Sequence, residues 1–183
     1  MRTVWRITTA LLAATVFSRE GADLYRGRWN PKGFVLVYTA ESRAMALLEM
    51  MMQDAPWRVR YVLIQAQLPD MLGETLVELA DLAPDWRGLE RRAALQSIGR
   101  DWLERGRSAV LAVPSAVVPA ERNYLLNPAH LDFARITMGK PKAMDTDFRL
   151  MGHASAGQGS DAAGSPAPPS SHRRSGAILP KRY

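Results

Sequence analysis

The continuous apolar segment FVLVYTA, at residues 34–40, is the feature that most constrains the fold of this chain. Its side chains are apolar on both faces, so a strand here has to be covered on both sides and is expected near the centre of a sheet. A second long strand is predicted over residues 58–68, RVRYVLIQAQL. Shorter strands are predicted over residues 4–9, 108–118, 132–139 and 146–150.

Two long helices are predicted. Residues 42–53 form the first, with Ser42 as its N-cap, and residues 89–105 form an amphipathic second helix that ends at Gly106. Two segments that contain several glycines and prolines are predicted to be loops, residues 18–33 and 69–88. The second of these loops has room for one short helix. Because apolar strands follow one another with few crossover helices, the pattern predicts an α+β fold with a compact mixed sheet, not a doubly wound sheet.

The stretch 151–183 differs in composition from the rest of the chain. It is rich in glycine, serine, alanine and proline, and it has almost no large apolar residue before Ile178. Such a segment cannot bury enough surface to offset the entropy of ordering it, so it is predicted to be disordered. Of the formal net charge of +6, +3 lies in this stretch. Residues 1–150 are therefore only mildly basic, which suits an anionic ligand such as a nucleotide.

Composition excludes or disfavours several kinds of site. The chain contains no cysteine, so disulfides and thiolate metal sites are excluded, and its three histidines lie far apart, so no metal is expected. No apolar run approaches the roughly 20 residues that span a bilayer, and no clear signal-peptide cleavage site follows the start. These features predict a cytoplasmic protein with no membrane partner. Neither GxGxxG nor GxxxxGK occurs, so a Rossmann or P-loop site is not expected.

Glu49 is the only charged residue between Arg43 and Asp54, and it lies in the middle of the first predicted helix. Its helical neighbours three and four positions away are mostly apolar, so its own face of the helix is apolar. Burying an unpaired carboxylate would cost several kcal/mol. Glu49 therefore lies at the solvent edge of the helix, pairs with a cation or lines a pocket.

Three further side chains could share a cleft with this carboxylate. Arg6 lies inside a short apolar strand and needs an anionic partner, either Glu49 or a ligand. Arg28 adjoins a glycine-containing loop, where its fork geometry suits a diphosphate. Tyr38 ends a strand, and is either a core residue with a solvated hydroxyl or a stacking platform. With a carboxylate to stabilise positive charge on a sugar, this set would suit cleavage of an N-glycosidic bond.

The polar residues after the predicted strand over 108–118 are less informative. Ser115 has no histidine or lysine close in sequence to activate it, so a hydrolase nucleophile is not expected. Asn123 and Asn127 are predicted to form turns, Asn127 especially because Pro128 follows it.

Seven motifs occur in order along residues 4–150: VWRI at 4–7, EGADLYRGRWNPKG at 20–33, VYTAES at 37–42, ALLE at 46–49, YVLIQAQLPD at 61–70, VLAVPSAVVPAERNYLLNPAH at 110–130 and DFRL at 147–150. Together they resemble the RES-domain family, which is named for conserved arginine, glutamate and serine. The chain departs from the family pattern at Arg26, where a glycine usually stands, and the residues after 150 have no counterpart in the family core.

The resemblance implies a compact fold similar to that of ADP-ribosyltransferase toxins, with residues 1–150 as the NAD-binding catalytic domain. It implies that NAD is consumed as a substrate, by a phosphorylase or glycohydrolase activity and without a metal. It also implies the toxin of a toxin–antitoxin pair, neutralised by an Xre-like antitoxin with a DNA-binding domain. Nucleic acid would then be contacted only indirectly, through the antitoxin.

The family's site residues fall on six positions of this chain: Arg6, Arg28, Tyr38, Glu49, Ser115 and Asn127. By resemblance, the two arginines would bind the NAD phosphates and the tyrosine would pack on the nicotinamide or its ribose. The glutamate would hydrogen-bond this ribose and steady the oxocarbenium, and it would be catalytic together with Tyr38 and Arg28. The serine would help to hold the nicotinamide end, and the asparagine would lie at the pocket rim.

Two alternatives stand beside this interpretation. The first keeps the same chemistry but transfers ADP-ribose to a protein target. The second is a non-enzymatic nucleic-acid or protein interaction module that uses the basic segment HRRSGAILPKR of the tail.

Overall fold

The computed structural model describes residues 1–18, 27–52 and 59–144. The strand predicted over 146–150 and the stretch 151–183 lie outside the described residues. The described part contains eight strands: β1 (Arg2–Thr9), β2 (Val37–Ala40), β3 (Tyr61–Leu68), β4 (Glu74–Leu76), β5 (Val110–Pro114), β6 (Arg122–Leu126), β7 (Thr137–Met138) and β8 (Lys142–Ala143). It also contains two α-helices, α1 (Arg43–Met51) and α2 (Arg92–Arg105). Short 3-10 helices span Leu79–Asp81, Leu89–Arg91 and Leu131–Arg135.

The strands form one mixed sheet in the order β4-β5-β6-β2-β1-β3-β7, with β8 also paired to β3. The β4–β5 pair is parallel and the other pairs are antiparallel. The central place of β2 confirms the expectation drawn from its apolar sequence, although the strand is shorter than the predicted 34–40. A mixed sheet with two α-helices confirms the predicted α+β class.

Strands β1 and β2 are joined narrowly. Within the described residues, Trp5 opposite Ala40 is the one Cα pair that links them. On its other side β1 pairs with β3 along its whole length. The sheet is therefore continuous here but opens on both sides of one bridge, and Arg6 is the next residue of β1 after that bridge.

Helix α1 begins directly after β2. The Ser42 side chain accepts a hydrogen bond of 3.0 Å from the Met45 backbone N–H, which satisfies one of the donors that a helix start leaves open. Met45 and Ala46 pack with Ala40 of β2 and with Trp5 of β1. This packing fixes the rotation of the helix, and with it the direction of Glu49, one turn after Met45.

Helix α2 covers the other part of the same face of the sheet. Leu95, Gly99 and Trp102 are its buried residues and repeat at helical spacing. Gly106 ends the helix in the left-handed region, with φ of 54°, and its N–H bonds the Trp102 carbonyl. Both the helix and its C-terminal glycine agree with the sequence prediction, except that Leu89–Arg91 forms a 3-10 turn.

The core lies on both faces of the sheet, and β5 is buried throughout. Its alternate side chains join two apolar clusters. One contains Val110 and Ala112 with residues of β1, β2, β3 and β6. The other contains Leu111 and Val113 with side chains from α2, β6 and the loops: Trp29, Leu36, Val77, Trp86, Leu95, Trp102 and Leu125. Burying each large apolar side chain contributes about 1.5–3 kcal/mol, so this second cluster anchors the loops that carry the site.

Three sequence predictions are wrong in part. Residues 132–139 are not one strand, because Leu131–Arg135 forms a 3-10 helix before the two-residue strand β7. Asn123 is not in a turn but in strand β6, which pairs with both β2 and β5. The segment 69–88 contains the short strand β4, which was not predicted. Strands β4, β6 and β7 are set by pairing with distant strands, which local composition does not encode, whereas the 3-10 helix is capped by His130, whose side chain accepts from the Asp132 N–H.

Candidate active site

Glu49 lies on α1 and is partly buried. Its Oε1 atom accepts two hydrogen bonds, one of 2.8 Å from the Ser115 hydroxyl and one of 2.6 Å from the Asn123 side-chain amide. Both donors are neutral, and hydrogen bonds to an ionised acceptor are about twice as strong as those between neutral groups. Its Oε2 atom accepts no hydrogen bond from the residues that the structure describes. Glu49 is thus held through one oxygen only.

Ser115 is fully buried just beyond the end of β5. Its Oγ accepts hydrogen bonds from the backbone N–H groups of Val117 and Val118, at 3.1 and 3.2 Å. Because these bonds occupy the lone pairs of the oxygen, the hydroxyl proton is directed outward to Glu49, with the Met45 sulfur as a weaker acceptor at 3.4 Å. This geometry makes Ser115 a donor that orients the carboxylate.

Asn123 is a site residue that the sequence reasoning interpreted only as a turn former. It lies on β6, opposite Ala40 of β2 and Val113 of β5, and this register brings its amide to Glu49. The signal that could have found it is its place in the motif E-x-N-x-L-x-N-P-x-H, two residues after Glu121.

The loop at residues 27–34 carries Arg28 and is held by hydrogen bonds to the Tyr38 hydroxyl. The Tyr38 hydroxyl donates to Asn30 Oδ1 at 2.7 Å and accepts from the Trp29 N–H at 3.0 Å. Asn30 Oδ1 also accepts from the Gly27 N–H at 3.0 Å. A side chain at Gly27 would overlap the Tyr38 hydroxyl and come within 2.6 Å of Asn30 Oδ1. Glycine is therefore required at this position, next to the arginine.

Helix α2 holds the same loop from the other side. The Gln96 side-chain amide donates to the carbonyls of Gly27 and Asn30, at 3.0 and 3.2 Å. At Gly99 the helix comes so close to the Trp29 backbone that an added Cβ would collide with its carbonyl oxygen. Trp29 also packs against Trp86, with ring centroids 6.3 Å apart. These contacts fix the loop that carries Arg28, and no sequence motif predicts them.

Tyr38 lies between the loop and the sheet. Burial raises the pKa of its phenol well above the ordinary value, although the charges of Arg6 and Arg28 act in the opposite direction. The phenol is therefore neutral, and its hydroxyl is engaged by Asn30 and Trp29. The Tyr38 carbonyl accepts a hydrogen bond of 2.7 Å from Arg6 Nη1. Arg6 thus reaches across the opening between β1 and β2, and a backbone carbonyl is one of its partners.

Arg28 lies on the loop that Tyr38 holds. Its Nη1 donates to the Arg87 carbonyl at 2.9 Å, and its guanidinium lies 6.0 Å from the Trp86 ring centroid. Burial and then the charge of Arg92 lower the pKa of Arg28, whereas the charges of Glu49 and Tyr38 raise it. Glu49 and Tyr38 are thus close enough to Arg28 for their charges to act on it.

Five of the six predicted site residues are therefore brought together: Arg6, Arg28, Tyr38, Glu49 and Ser115. Asn127 is not among them. It follows β6 at the end opposite to Asn123, and its Oδ1 accepts from the Ala129 N–H at 2.9 Å in the turn around Pro128. Its role in the described structure is that turn, as the turn prediction had it.

The described residues contain neither a metal-binding cluster nor a membrane-spanning helix. No group of three or more histidine, aspartate or glutamate side chains in this part of the chain could hold a metal ion. No helix in it is long and apolar enough to cross a bilayer.

Comparison with known proteins gives related sequences over most of the chain. A family model described as the RES domain matches residues 3–150. A protein named Toxin Res from Yersinia enterocolitica serotype O:8 / biotype 1B is 36% identical over 150 residues, which cover 80% of this chain and 98% of that protein. The Prs ADP-ribosylating toxin of Sphingobium sp. strain YBL2 is 33% identical over 153 residues, with coverage of 80% and 95%.

A solved structure has a similar fold. A chain of the M. tuberculosis MbcT–MbcA toxin–antitoxin complex superposes with a TM-score of 0.63 and 19% sequence identity, covering 78% of this chain and 84% of that chain. At this identity the likeness concerns the fold, and it agrees with the α+β architecture described above.

Proposed function

Because the chain belongs to the RES domain family, we propose that it is the toxin of a toxin–antitoxin pair and that it consumes NAD. The bond broken is the N-glycosidic bond between nicotinamide and ribose. Nicotinamide leaves with the electron pair of this bond, and the ribose passes through an oxocarbenium-like state. An oxygen of phosphate or water then forms the new bond to the sugar, with loss of a proton when the acceptor is water.

The observation that carries this proposal is the way Glu49 is held. Ser115 and Asn123 both bind Oε1, so that Oε2 is available to accept from a ribose hydroxyl. A carboxylate that is oriented by neutral donors and not by a cation is suited to stabilise the developing positive charge of the sugar. Fixed orientation of this kind lowers the barrier because the group does not have to reorganise during the reaction.

The two arginines of the candidate site, Arg6 and Arg28, support the choice of NAD as substrate. Arg6 donates to the Tyr38 carbonyl, and the charges of Arg6 and Arg28 both act on the Tyr38 phenol, so a dinucleotide bound beside Tyr38 would bring its diphosphate within reach of both arginines. The fork of a guanidinium matches phosphate oxygens, and the Trp86 face holds one side of Arg28. Tyr38 would then pack against the nicotinamide ribose through its ring, since its hydroxyl is engaged in the loop.

A second candidate function is transfer of ADP-ribose to a protein. It is favoured by one of the relatives, which is named a Prs ADP-ribosylating toxin and is 33% identical. The first step would be the same and only the acceptor would differ. The partner that we propose is an antitoxin, because a structural neighbour was solved as a toxin–antitoxin complex and the sequence resemblance implies an Xre-like antitoxin.

The test is an NAD-depletion assay on the full chain, run with and without phosphate. The native protein should consume NAD, and Glu49→Ala should abolish this loss while leaving the melting temperature close to that of the native protein. Glu104→Ala, an exposed carboxylate on α2, is the matched control and should behave like the native protein. Equal NAD loss by native protein and Glu49→Ala, or no loss by either in both buffers, would refute the proposal.

Labelled NAD separates the two candidates. If the ADP-ribose moiety is labelled, NAD cleavage to small molecules leaves the label in free ADP-ribose or its phosphate ester. Protein modification instead leaves the label on a polypeptide band in a lysate.

A further inference from the structure

The segment from Asp85 to Arg92 carries three arginines in different electrostatic situations. Arg91 is neutralised, since its Nε donates to both carboxylate oxygens of Asp85 at 2.9 and 3.0 Å. Arg87 and Arg92 have no carboxylate within 4.0 Å among the described residues, and neither has Arg28. Within the part of the chain that the structure describes, one arginine of this segment is therefore paired with a carboxylate, and two are not.

Both uncompensated arginines adjoin Arg28. The Arg87 backbone carbonyl accepts the hydrogen bond from Arg28 Nη1, so these two residues are in direct contact. Arg92 lies four positions before Gln96 on α2, which places both on one face of the helix. The Gln96 amide bonds the loop carbonyls that flank Arg28, so this face of α2 is the one turned to the loop.

The energetics agree with this placement. After burial, the charge of Arg92 is the largest factor that lowers the pKa of Arg28, and Arg87 acts in the same direction. The positive charges of Arg87 and Arg92 repel that of Arg28, and an anion bound between them would offset this repulsion. Arg87 and Arg92 are exposed, so a ligand can reach them without rearrangement of the core.

We propose that Arg87 and Arg92 complete a diphosphate-binding site around Arg28, as substrate-binding residues that the family motifs do not contain. This inference rests on the proposed function, because it assigns the diphosphate of the proposed dinucleotide substrate to this cluster. Arg28 is the partly buried residue of the site and lies beside Trp86. The two exposed guanidiniums bind the phosphate oxygens from the side of the segment Asp85–Arg92. Charge-assisted, two-pronged bonds of this kind are the ones that arginine forms with phosphate.

The test measures binding of ADP-ribose to the full chain by titration calorimetry. Arg92→Gln and Arg87→Gln should each weaken binding about tenfold, the factor expected for loss of one hydrogen bond to a charged group. Arg91→Gln is the matched control, because it removes a neighbouring arginine whose charge is already paired with Asp85. Its affinity for ADP-ribose should stay close to that of the native protein.

A ligand without a diphosphate provides the second control. Nicotinamide riboside should bind equally to the native protein, Arg92→Gln and Arg87→Gln. Raising the salt concentration should weaken ADP-ribose binding more in the native protein than in the two variants, since each variant has one positive charge fewer to be screened.

The outcomes separate this inference from the proposed function. Unchanged ADP-ribose affinity in Arg92→Gln and Arg87→Gln, an equal loss in Arg91→Gln, or no ADP-ribose binding by the native protein would overturn the inference. If the protein fails to consume NAD but loses ADP-ribose affinity specifically in these two variants, the proposed function fails and the phosphate site stands. If NAD is consumed and KM for NAD is unchanged in both variants, only the arginine assignment fails.

Discussion

The two ends of the candidate site are stabilised by opposite means. At one end, the Glu49 carboxylate is oriented by two neutral donors, Ser115 and Asn123. At the other end, the Arg28 guanidinium is close to further positive charges and bonds a backbone carbonyl. The acid end therefore holds its carboxylate in a fixed direction, and the cationic end has, among the described residues, an excess of positive charge that a bound anion would compensate.

This contrast predicts different responses to substitution. At the acid end, small changes in geometry should lower kcat, because the proposed role of the carboxylate is to act on the reacting sugar. At the cationic end, changes should act first on substrate affinity, because the guanidiniums would contact a part of the substrate that does not react. The following predictions test this difference, beginning with the largest expected effect.

Asn123→Asp should have the largest effect, since it replaces a donor at 2.6 Å from Glu49 by a second carboxylate. Two carboxylates so close compete for one proton, and the orientation of Glu49 is lost. We expect kcat for NAD loss to fall about 100-fold near neutral pH, the order of magnitude for a misplaced catalytic group, with a smaller change in KM. Steady-state kinetics provide the measurement, and circular dichroism checks the fold.

Ser115→Thr is the conservative companion to this variant, because it retains the hydroxyl that donates to Glu49. It should keep more activity than Ser115→Ala. If Asn123→Asp and Ser115→Ala both kept native kcat, the reaction would not depend on how Glu49 is oriented. The contrast between the two ends of the site would then be refuted.

Gly99→Ala should be the most damaging change at the cationic end. The new methyl group would collide with the Trp29 backbone, which is pinned by Tyr38 and cannot move aside freely. Overpacking of this kind costs about 1–3 kcal/mol of the free energy of unfolding, and displacement of the loop should also raise KM for NAD. Thermal unfolding and steady-state kinetics give the two quantities. Ser97→Ala, on the same helix, is the control. A Gly99→Ala protein with native stability and KM would argue against the close contact between α2 and the Trp29 backbone.

Tyr38→Phe tests the residue that lies between the two ends. It removes the hydroxyl that bonds Asn30 and Trp29, which should lower the free energy of unfolding by about 1–2 kcal/mol and loosen the loop. Burial raises the pKa of Tyr38 in the folded state, so its phenol stabilises the fold fully below the unfolded value of about 10. Above that pH the unfolded state loses the proton first, and stability falls.

The native protein should therefore lose stability on going above about pH 10 more steeply than Tyr38→Phe does, because the variant lacks this phenol. Denaturant titrations at a series of alkaline pH values measure the slope. Identical slopes for the two proteins would mean that the Tyr38 phenol is not protected by the fold.

Asn127→Ala should have the smallest effect on the reaction. Its side chain closes a turn at the far end of β6, so the variant should lose about 1 kcal/mol of stability and keep the KM and kcat of the native protein. A clear increase in KM with unchanged stability would instead return Asn127 to the pocket rim that the family resemblance implies.

Local signals predicted the elements whose limits are local. Ser42 marks the start of α1 and Gly106 the end of α2, since each satisfies backbone groups within its own turn. The central place of β2 followed from an apolar sequence on both faces. Strand β6 could not be predicted in this way, because Asn123 and Asn127 resemble turn residues and only the pairing with β2 and β5 makes the segment a strand.

The candidate site shows the same division. Glu49 was noticed because a lone charge on an apolar helix requires an explanation. Its partner Asn123, and the clamp formed by Gln96 and Gly99, join residues far apart in sequence. No spacing rule links such residues, and they become visible only when the sheet register and the position of α2 are known.

The narrow junction between β1 and β2 has a consequence for mutational scans of this protein. Next to the single Trp5–Ala40 bridge, Arg6 supplies from its side chain a hydrogen bond to the Tyr38 carbonyl that continued strand pairing would otherwise provide. An alanine at position 6 would remove a charge and also the hydrogen bond that links β1 to the Tyr38 carbonyl. An inactive Arg6→Ala protein would therefore not by itself identify a ligand contact. Arg6→Lys, which keeps the charge and a donor but not the fork, is the more informative replacement.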